Sequence, residues 1–479
     1  MNHVSAGTLR RSFQVVDNRQ AADLVVASFD WKQPQAPRRL FIDHGSFADA
    51  SFWTFTVPGL RSSDTILVAS RVCERVAARC IEAAGARILR VPFFVDTDRF
   101  RPVPDRLGAR RQLADERAVP AEGALLLAAS AFVRRKNLHL AVHFLHALLE
   151  FVPEARLVIV GGTPERPSNL GYRHAIERLA ATLGVDKRVH LLGALPQGEL
   201  ARLMAAADLL VHFSNARMEN FGLVVAESLA SGLPVIAADW GGLRDLVRHG
   251  ENGFLAPTYL SDNGPRTDWR APLRVVADAL RDPAIWSDLS RRARGVAEAS
   301  LRVAAFSERL REAVSEALGG VVGEGQPPVL SPGATEMMFR TLNLYSRSGG
   351  PIGTGNEFRR LMTLDEGRHY RFLCGPIASS ESPPGLGGGE LLYPVVTWGE
   401  GAAGIRITDP AWPGSVVATS LHLDLLRRVG AGTDLGTLLV CTSAAGIPRA
   451  EGLRYAQDLV DWGLLCPLGT TRIMEVDDP

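Results

Sequence analysis

Short apolar runs alternate with longer amphipathic stretches along the first 320 residues. Apolar runs of strand length occupy positions 22–27, 39–43, 63–70, 88–92, 123–130, 155–160, 189–193 and 209–213. Helical periodicity follows three of these runs, at 71–83, 138–151 and 172–183. Because strands that alternate with helices form parallel sheets, the pattern predicts an α/β protein built on doubly wound parallel sheets.

Two glutamates, Glu219 and Glu227, lie eight residues apart across the predicted start of a helix. The first amides of that helix belong to Phe221, Gly222 and Leu223, and unpaired amides at the carboxyl end of a sheet favour an anion such as phosphate. If the helix runs from 221 to 227, its ends are about 9 Å apart along the axis. This span suits a ligand with hydroxyl groups at both ends and a diphosphate between them, because ionised carboxylates accept hydrogen bonds from hydroxyls.

The alternative interpretation of this pair is a solvated helix face, since two glutamates at this spacing are common in long proteins. The surrounding sequence argues against it. Glu227 interrupts the otherwise apolar segment 223–230, where burying an unpaired carboxylate is costly. A position facing a cleft therefore explains Glu227 better.

The wider motif around the two glutamates resembles the donor half of a retaining glycosyltransferase of family 4. The motif consists of Glu219 and Glu227 with Asn220, Phe221 and Gly222 between them, then the segments 230–237, 241–247 and 250–255. The resemblance covers about residues 20–317 and is strongest from 125 to 257. It implies a GT-B fold, in which two Rossmann-like domains face each other across a cleft and the second domain binds most of the nucleotide sugar.

The resemblance also implies roles for individual residues. Glu219 would hold the hydroxyls of the donor sugar beside the 220–223 segment, whose Asn220, Phe221, Gly222 and Leu223 we expect at the donor. Glu227 would accept hydrogen bonds from the ribose hydroxyls. His44, which follows the strand at 39–43, would line the cleft near the sugar, although a single histidine is equally often structural.

In the same family the loop after the first strand of the second domain carries an Arg and a Lys that neutralise the donor diphosphate. Lys136 matches the Lys, but Ala131 occupies the Arg position. The two candidates for the missing charge are Arg134 and Arg135 at neighbouring positions, and we assign donor binding to Arg135. A merely solvated basic loop is the alternative.

Composition narrows the remaining choices. A net charge of +1 gives no argument for nucleic acid as a partner. No apolar run reaches the length that spans a bilayer, and residues 1–5 lack the apolar core of a signal peptide, so we expect a cytoplasmic protein. The five cysteines show no metal-ligand spacing. Asp96-Thr97-Asp98 imitates an Asp-x-Asp metal site, but it lies where the family crosses between domains, so we predict no metal and no cofactor.

We expect four regions. They are a short N-terminal Rossmann-like domain (1–117), a nucleotide-sugar-binding domain (118–317), a Gly- and Pro-rich linker (318–334) and an α+β accessory region (335–479) that the resemblance does not cover. Helices at 423–429 and 450–462, with a hairpin formed by 463–468 and 471–476, are similar to a winged-helix module at 415–479. Its acidic end favours a protein or peptide ligand over DNA.

The resulting hypothesis is a glycosyltransferase that moves a sugar from a nucleotide sugar to an acceptor with retention of configuration. The acceptor, whether a small molecule, a glycan or a peptide, is left open. One alternative is a catalytically weak binding or partner subunit, which the missing Arg and the short first domain favour. A phosphorylase-type or epimerase-type enzyme on the same fold is another.

Overall fold

The computed structural model describes most of the chain between residues 23 and 319 and parts of the region beyond 384. The described residues are 23–28, 38–43, 60–61, 63–80, 86–117, 119–163, 167–216, 219–261, 264–319, 385–386, 391–394, 398–401, 404–407, 414–429, 432–445, 447–461 and 464–467.

The first part of the described chain forms a parallel sheet with the strand order β1-β2-β3-β4. Its members are β1 (Val25–Ser28), β2 (Arg39–Ile42), β3 (Thr65–Val68) and β4 (Arg87–Arg90), and helix α1 (Arg71–Cys80) connects the last two. β3 is fully buried, as expected for a strand covered on both faces. The strands predicted from the apolar runs are confirmed, with ends shifted by one to three residues.

The second sheet is also parallel, and its strands within the described residues follow the order β10-β9-β8-β5-β6-β7. The strands are β5 (Leu125–Ala129), β6 (Arg156–Val160), β7 (Val189–Leu192), β8 (Leu209–His212), β9 (Val235–Ala238) and β10 (Gly253–Ala256). The helices that precede or alternate with them are α2 (Arg106–Arg117), α3 (Leu138–Leu148), α4 (Pro167–Thr182), α5 (Gln197–Ala206), α6 (Leu223–Ala230) and α7 (Leu243–Leu246). The strand order reverses between β5 and β8, which is where open α/β sheets bind ligands.

Side chains of β5 pack into the hydrophobic cores on both faces of the second sheet. Leu125, Leu127 and Ala129 belong to one buried cluster, and Leu126 and Ala128 belong to another on the opposite face. This continuous burial explains why the strand has no polar position.

Three more helices follow the second sheet: α8 (Leu273–Arg281), α9 (Pro283–Ser300) and α10 (Val303–Gly319). α9 packs against α6, whereas α10 returns to the first sheet. There Phe306 and Leu310 share a buried cluster with Leu40 and Leu67. The chain therefore crosses between the two sheets twice, and the last helix before residue 320 covers the first sheet.

The C-terminal described residues form an α+β region. It contains the antiparallel sheets β14-β15-β16 and β17-β13-β18. The elements are β13 (Leu391–Pro394), β14 (Trp398–Gly401), β15 (Gly404–Ile407), β16 (Gly414–Val417), α11 (Ser420–Val429), β17 (Thr433–Asp434), α12 (Leu435–Ala444), α13 (Arg449–Asp461) and β18 (Leu465–Pro467).

Two of the predicted helices in this region are confirmed as α11 and α13, and α12 is an addition that the sequence pattern did not reveal. Asp434 begins α12, because its carboxylate accepts a hydrogen bond from the Thr437 amide at 2.8 Å. The predicted hairpin of 463–468 with 471–476 stays a prediction, because 471–476 lies outside the described residues. Within the described residues, β18 pairs antiparallel with β13, a strand about 70 residues earlier.

A buried hairpin joins this region to the second sheet. The hairpin consists of β11 (Thr258–Ser261) and β12 (Gly264–Thr267), which pair antiparallel. Tyr259 is fully buried in the core of the C-terminal region, and its hydroxyl donates to the Leu465 carbonyl oxygen at 3.4 Å. The C-terminal region is therefore docked on the second sheet through this hairpin.

Among the helices that the structure describes, none combines the length and the apolar character needed to cross a membrane.

Candidate functional site

Two loops flank the point where the order of the second sheet reverses. One follows β5 and contains the 3₁₀ turn Arg134–Lys136. The other follows β8 and contains Glu219. Because both loops leave the carboxyl ends of neighbouring parallel strands, their side chains meet in one crevice.

Lys136 and Glu219 form an ion pair in this crevice. The Lys136 Nζ lies 2.5 Å from the Glu219 Oε2, and the Ser214 hydroxyl donates to the same oxygen at 2.6 Å. Glu219 is only 8% exposed. Burial by itself raises the pKa of the Glu219 carboxyl, but the Lys136 ammonium and the neighbouring His212 together outweigh it and hold that pKa far below its ordinary value. Glu219 is therefore ionised at neutral pH.

His212 is a third member of this group and was missed in the sequence. Its place within the apolar run 209–213 predicts a core residue, and it is buried, with 4% exposure. It also ends β8, and its Nε2 lies 3.7 Å from the Glu219 Oε2. This distance exceeds a hydrogen bond, and the Nε2 has no hydrogen-bond partner among the described residues. The available signal was its place directly before the polar loop at a strand's carboxyl end.

The helix after Glu219 begins later than predicted. α6 starts at Leu223, and Gly222 caps it with a φ of 85°, in the left-handed region that glycine adopts without strain. Phe221 is therefore outside the helix, and the predicted helical span from 221 to 227 shortens to 223–227. The first-turn amides of α6 still begin beside Glu219, where they favour an anion.

Glu227 lies one turn into α6, on the same face as Leu223, which is 45% exposed. Burial raises the pKa of the half-buried Glu227 to about 7, and the charge of Arg99 lowers it only in part. Arg99 belongs to the segment that crosses from the first sheet to the second. Glu227 is thus an acid near neutrality at the boundary between the two sheets.

The basic loop presents its other charges in different directions. Arg134 lies over the Tyr172 ring, with its guanidinium carbon 5.9 Å from the ring centroid. Arg135 is exposed. Ala131 is held at the base of the loop, where its carbonyl oxygen accepts from the Val133 amide at 2.8 Å. The assignment of Arg135 to the donor stays a prediction.

Asn220 and Phe221 occupy the boundary with the first sheet. The buried Phe221 ring packs edge-to-face on Phe93, with centroids 5.4 Å apart. The Asn220 carbonyl oxygen lies 3.9 Å from the Cys73 Sγ. The side chain of Phe221 therefore packs against the first sheet's side, and Phe221 contributes its backbone to the crevice. His44, the remaining predicted site residue, lies outside the described residues.

Comparison with protein families identifies the part of the chain that contains the second sheet. Residues 110–264 match the family of glycosyl transferases group 1. This part of the chain is a group 1 glycosyltransferase domain. The match includes Lys136, Glu219 and Glu227, and it ends before residues 335–479.

Two curated relatives support the assignment. A D-inositol 3-phosphate glycosyltransferase from Nocardioides sp. is 35% identical over 237 residues, which are 47% of this chain and 48% of that protein. A GDP-mannose-dependent alpha-(1-6)-phosphatidylinositol monomannoside mannosyltransferase from Mycolicibacterium smegmatis is 32% identical over 204 residues, 42% of this chain and 48% of that one. The matched part thus spans about half the length of these relatives.

The fold agrees with a solved structure. The crystal structure of a glycosyltransferase from Rickettsia africae ESF-5 superposes with a TM-score of 0.50 at 16% identity, covering 66% of this chain and 80% of that one. Together with the two parallel sheets, this similarity confirms the predicted GT-B fold of the group 1 glycosyltransferase domain and its partner sheet.

Proposed function

We propose that this protein transfers a sugar from a nucleotide sugar to an acceptor with retention of anomeric configuration. The observation that carries the proposal is the Lys136–Glu219 pair, 2.5 Å apart, at the reversal of strand order and beside the start of α6. A cation, a carboxylate and the first amides of a helix are the groups that an activated sugar with a diphosphate needs. The family match over residues 110–264 supports the same activity.

Each residue of the site has its own role in this proposal. Lys136 neutralises the negative charge that develops on the departing diphosphate, with the first amides of α6 beside it. Glu219 accepts hydrogen bonds from the sugar hydroxyls, because an ionised carboxylate is an acceptor only. Glu227, in its ionised form, accepts hydrogen bonds from the ribose. His44 is proposed to line the reacting centre, and Arg135 to add charge near the diphosphate in place of the missing Arg at Ala131.

Retention follows from attack on the face that the diphosphate leaves. The bond from the anomeric carbon to the phosphate oxygen breaks, and the acceptor oxygen forms its bond on the same face. The acceptor proton passes to the departing phosphate oxygen, so no covalent sugar–enzyme intermediate is needed. We propose that the reaction uses no metal ion, since Lys136 and the helix amides supply the charge, and that it takes place in the cytoplasm.

A donor screen tests this proposal. Thermal-shift measurements with several nucleotide sugars identify the nucleotide and the sugar, and an assay of nucleotide release then measures turnover. Glu219→Gln keeps the shape of the side chain but removes its charge, so we expect loss of turnover with a folded protein. Excess chelator should leave turnover unchanged, and NMR of the product should show the donor's anomeric configuration.

The other outcomes are equally definite. A nucleotide sugar that binds without any release of nucleotide would overturn the enzyme proposal and indicate a binding subunit. An inverted product would overturn retention alone. Turnover that requires inorganic phosphate, or that needs no acceptor, would indicate phosphorylase or epimerase chemistry.

A further inference from the structure

Asp245, outside the predicted site, connects the two sheets. Its Oδ2 accepts a hydrogen bond from the Arg71 amide at 2.7 Å, across 174 residues of sequence. Arg71 is the first residue of α1, and amides in the first turn of a helix lack an acceptor within the helix. Ser70 caps the same end, because its hydroxyl accepts from the Cys73 amide at 3.2 Å. Ser70 is thus a local cap of α1, and Asp245 is a second cap that comes from the group 1 domain.

The turn before Asp245 is in backbone contact with the loop of Glu219. The Gly242 amide donates to the Glu219 carbonyl oxygen at 2.8 Å. A Cβ atom at Gly242 would overlap the Asn220 carbonyl oxygen, and a Cβ atom at Gly241 would overlap that of Glu219. Only glycine allows this approach. The closely packed glycine turn therefore connects Asp245 to the loop that contains Glu219.

Two other contacts cross the same boundary beside it. The Cys73 Sγ lies 3.9 Å from the Asn220 carbonyl oxygen, and Phe93 packs on Phe221. Cys73 and Phe93 come from the first sheet's side, and both partners lie in the Glu219 loop. Two of the three contacts reach the Glu219 loop directly, and the Asp245 contact reaches it through the glycine turn. A movement of α1 therefore changes the surroundings of Glu219.

The pKa values of Asp245 and Cys73 reflect the packing of α1 against Asp245. Burial raises the pKa of the Asp245 carboxyl, while the hydrogen bond from the Arg71 amide and the charges of Arg90, Arg71 and Arg75 lower it. The neighbouring Cys73 thiol has its pKa raised to about 12, mainly by burial and then by the charge of Asp43. The thiol is thus half-buried and protonated while the contact is in place.

We propose that Asp245 is a positioning residue that holds α1 of the first sheet against the Glu219 loop. It acts through the Arg71 amide on one side and through the glycine turn on the other, and it does not contact the donor. This inference rests on the proposed function for its catalytic consequence. The contact itself can be tested without a donor.

The reactivity of Cys73 measures the contact directly. Maleimide labelling of the full-length protein, resolved by peptide mass spectrometry, gives the rate at Cys73 and, separately, at Cys441 in the C-terminal region. We expect Asp245→Ala to raise the Cys73 rate about tenfold, as for loss of a partly buried helix-terminus contact. Asp245→Asn retains an acceptor oxygen and should change it by less than about threefold. The Cys441 rate should not change.

A second pair of variants removes the other partner of the same bond. Proline is tolerated at the first position of a helix and has no amide hydrogen, so Arg71→Pro deletes the donor while α1 still forms. Arg71→Ala deletes the side chain and keeps the amide. We expect much faster Cys73 labelling in Arg71→Pro than in Arg71→Ala, and no further increase when Arg71→Pro is combined with Asp245→Ala.

The capping residue Asp282 provides a control of the same chemistry elsewhere. Its carboxylate accepts from the Ala284 amide at 2.8 Å at the start of α9, within the second domain. Asp282→Ala should leave Cys73 labelling unchanged. Wild-type labelling rates in both Asp245→Ala and Arg71→Pro would overturn the inference.

Kinetics separate a positioning role from a merely structural one. With the donor found by the screen, Arg71→Pro and Asp245→Ala should lower kcat/KM about tenfold, while Arg71→Ala and Asp245→Asn retain most of it. Failure to find any donor would defeat the proposed function and leave the labelling result standing. Faster labelling with unchanged kcat/KM would overturn the catalytic part of the inference.

Discussion

The Lys136 ammonium and the Glu219 carboxylate, 83 residues apart in the chain, meet at 2.5 Å between Nζ and Oε2. Both lie on loops that leave the carboxyl ends of adjacent parallel strands, β5 and β8. The pair is largely shielded from water, since Lys136 is 22% and Glu219 8% exposed. A pair of this kind depends on both members, because a single charge left behind in such a place is costly.

Lys136→Met tests this dependence. The variant leaves the Glu219 carboxylate without its cation, so we expect the free energy of unfolding to fall by about 3 kcal/mol. Urea denaturation at neutral pH measures the change. Lys136→Met combined with Glu219→Gln removes both charges and should recover most of the loss. A double variant as unstable as Lys136→Met alone would contradict the role of the pair.

Glu227 should make stability depend on pH. Its pKa is raised by burial from 4.5 to about 7, so between these values the folded protein holds a proton that the unfolded chain has lost. The stabilising contribution of this residue is therefore present below pH 4.5 and is lost as the pH rises through 7. Comparison of urea midpoints from pH 5 to pH 8 for the wild type and Glu227→Gln isolates this effect, and identical pH profiles would contradict it.

The raised pKa of Glu227 should also make donor binding depend on pH. In the proposed donor complex the ribose hydroxyls donate to the ionised Glu227, so we expect binding below pH 7 to release a proton from this side chain. We expect the Kd of the donor to fall as the pH rises from 6 to 8. Calorimetry in buffers of different ionisation enthalpy measures the proton, and Glu227→Gln should bind more weakly and release none.

Gly222 is expected to tolerate no side chain. Its φ of 85° and the Leu243 Cδ2, 2.5 Å from where a Cβ atom would lie, penalise Gly222→Ala twice. Gly250 is a matched control, since its φ is 78° but no atom lies within 4 Å of the added Cβ. Both variants should lose about 1 kcal/mol of stability to the backbone, and Gly222→Ala should lose about 1–3 kcal/mol more to overpacking. Thermal unfolding of the two variants measures the difference.

Tyr259 should determine whether the C-terminal region stays docked. Tyr259→Ala removes a fully buried ring and is expected to cost about 3–5 kcal/mol. Tyr259→Phe keeps the ring and loses the bond from the hydroxyl to the Leu465 carbonyl oxygen, which is worth about 1 kcal/mol. Hydrogen exchange in α11 and α13 reports the result. Equal protection in wild type and Tyr259→Ala would show that other contacts hold the region in place.

Most of the sheet-forming strands could be predicted because buried parallel strands are continuous apolar runs. Leu125–Ala129 and Leu209–His212 illustrate this, with every residue buried. Helix α12 could not be predicted in the same way, since Leu435–Ala444 has little amphipathic character. The pairing of β18 with β13 could not be predicted for a related reason: strand pairing across about 70 residues depends on the packing of α11 and α13, which a local pattern does not record.

The residues of the candidate site likewise separate into those that the local sequence indicates and those that it does not. Spacing and motif in the sequence indicated Glu219, Glu227 and Lys136, because each belongs to a short local segment after a strand. The apolar run around His212 predicts a core histidine, and its place at the carboxyl end of a strand was the only local signal of another role. Nothing local marked Asp245 as a partner of α1.

The sequence by itself determined the α/β alternation and which polar residues follow each strand, because both depend on neighbouring positions in the chain. Only the tertiary structure decided that Lys136 neutralises Glu219, that His212 lies beside them, and that Asp245 caps a helix of the other sheet. Those contacts join residues far apart in the chain, and their distances follow from strand order and from packing between the sheets.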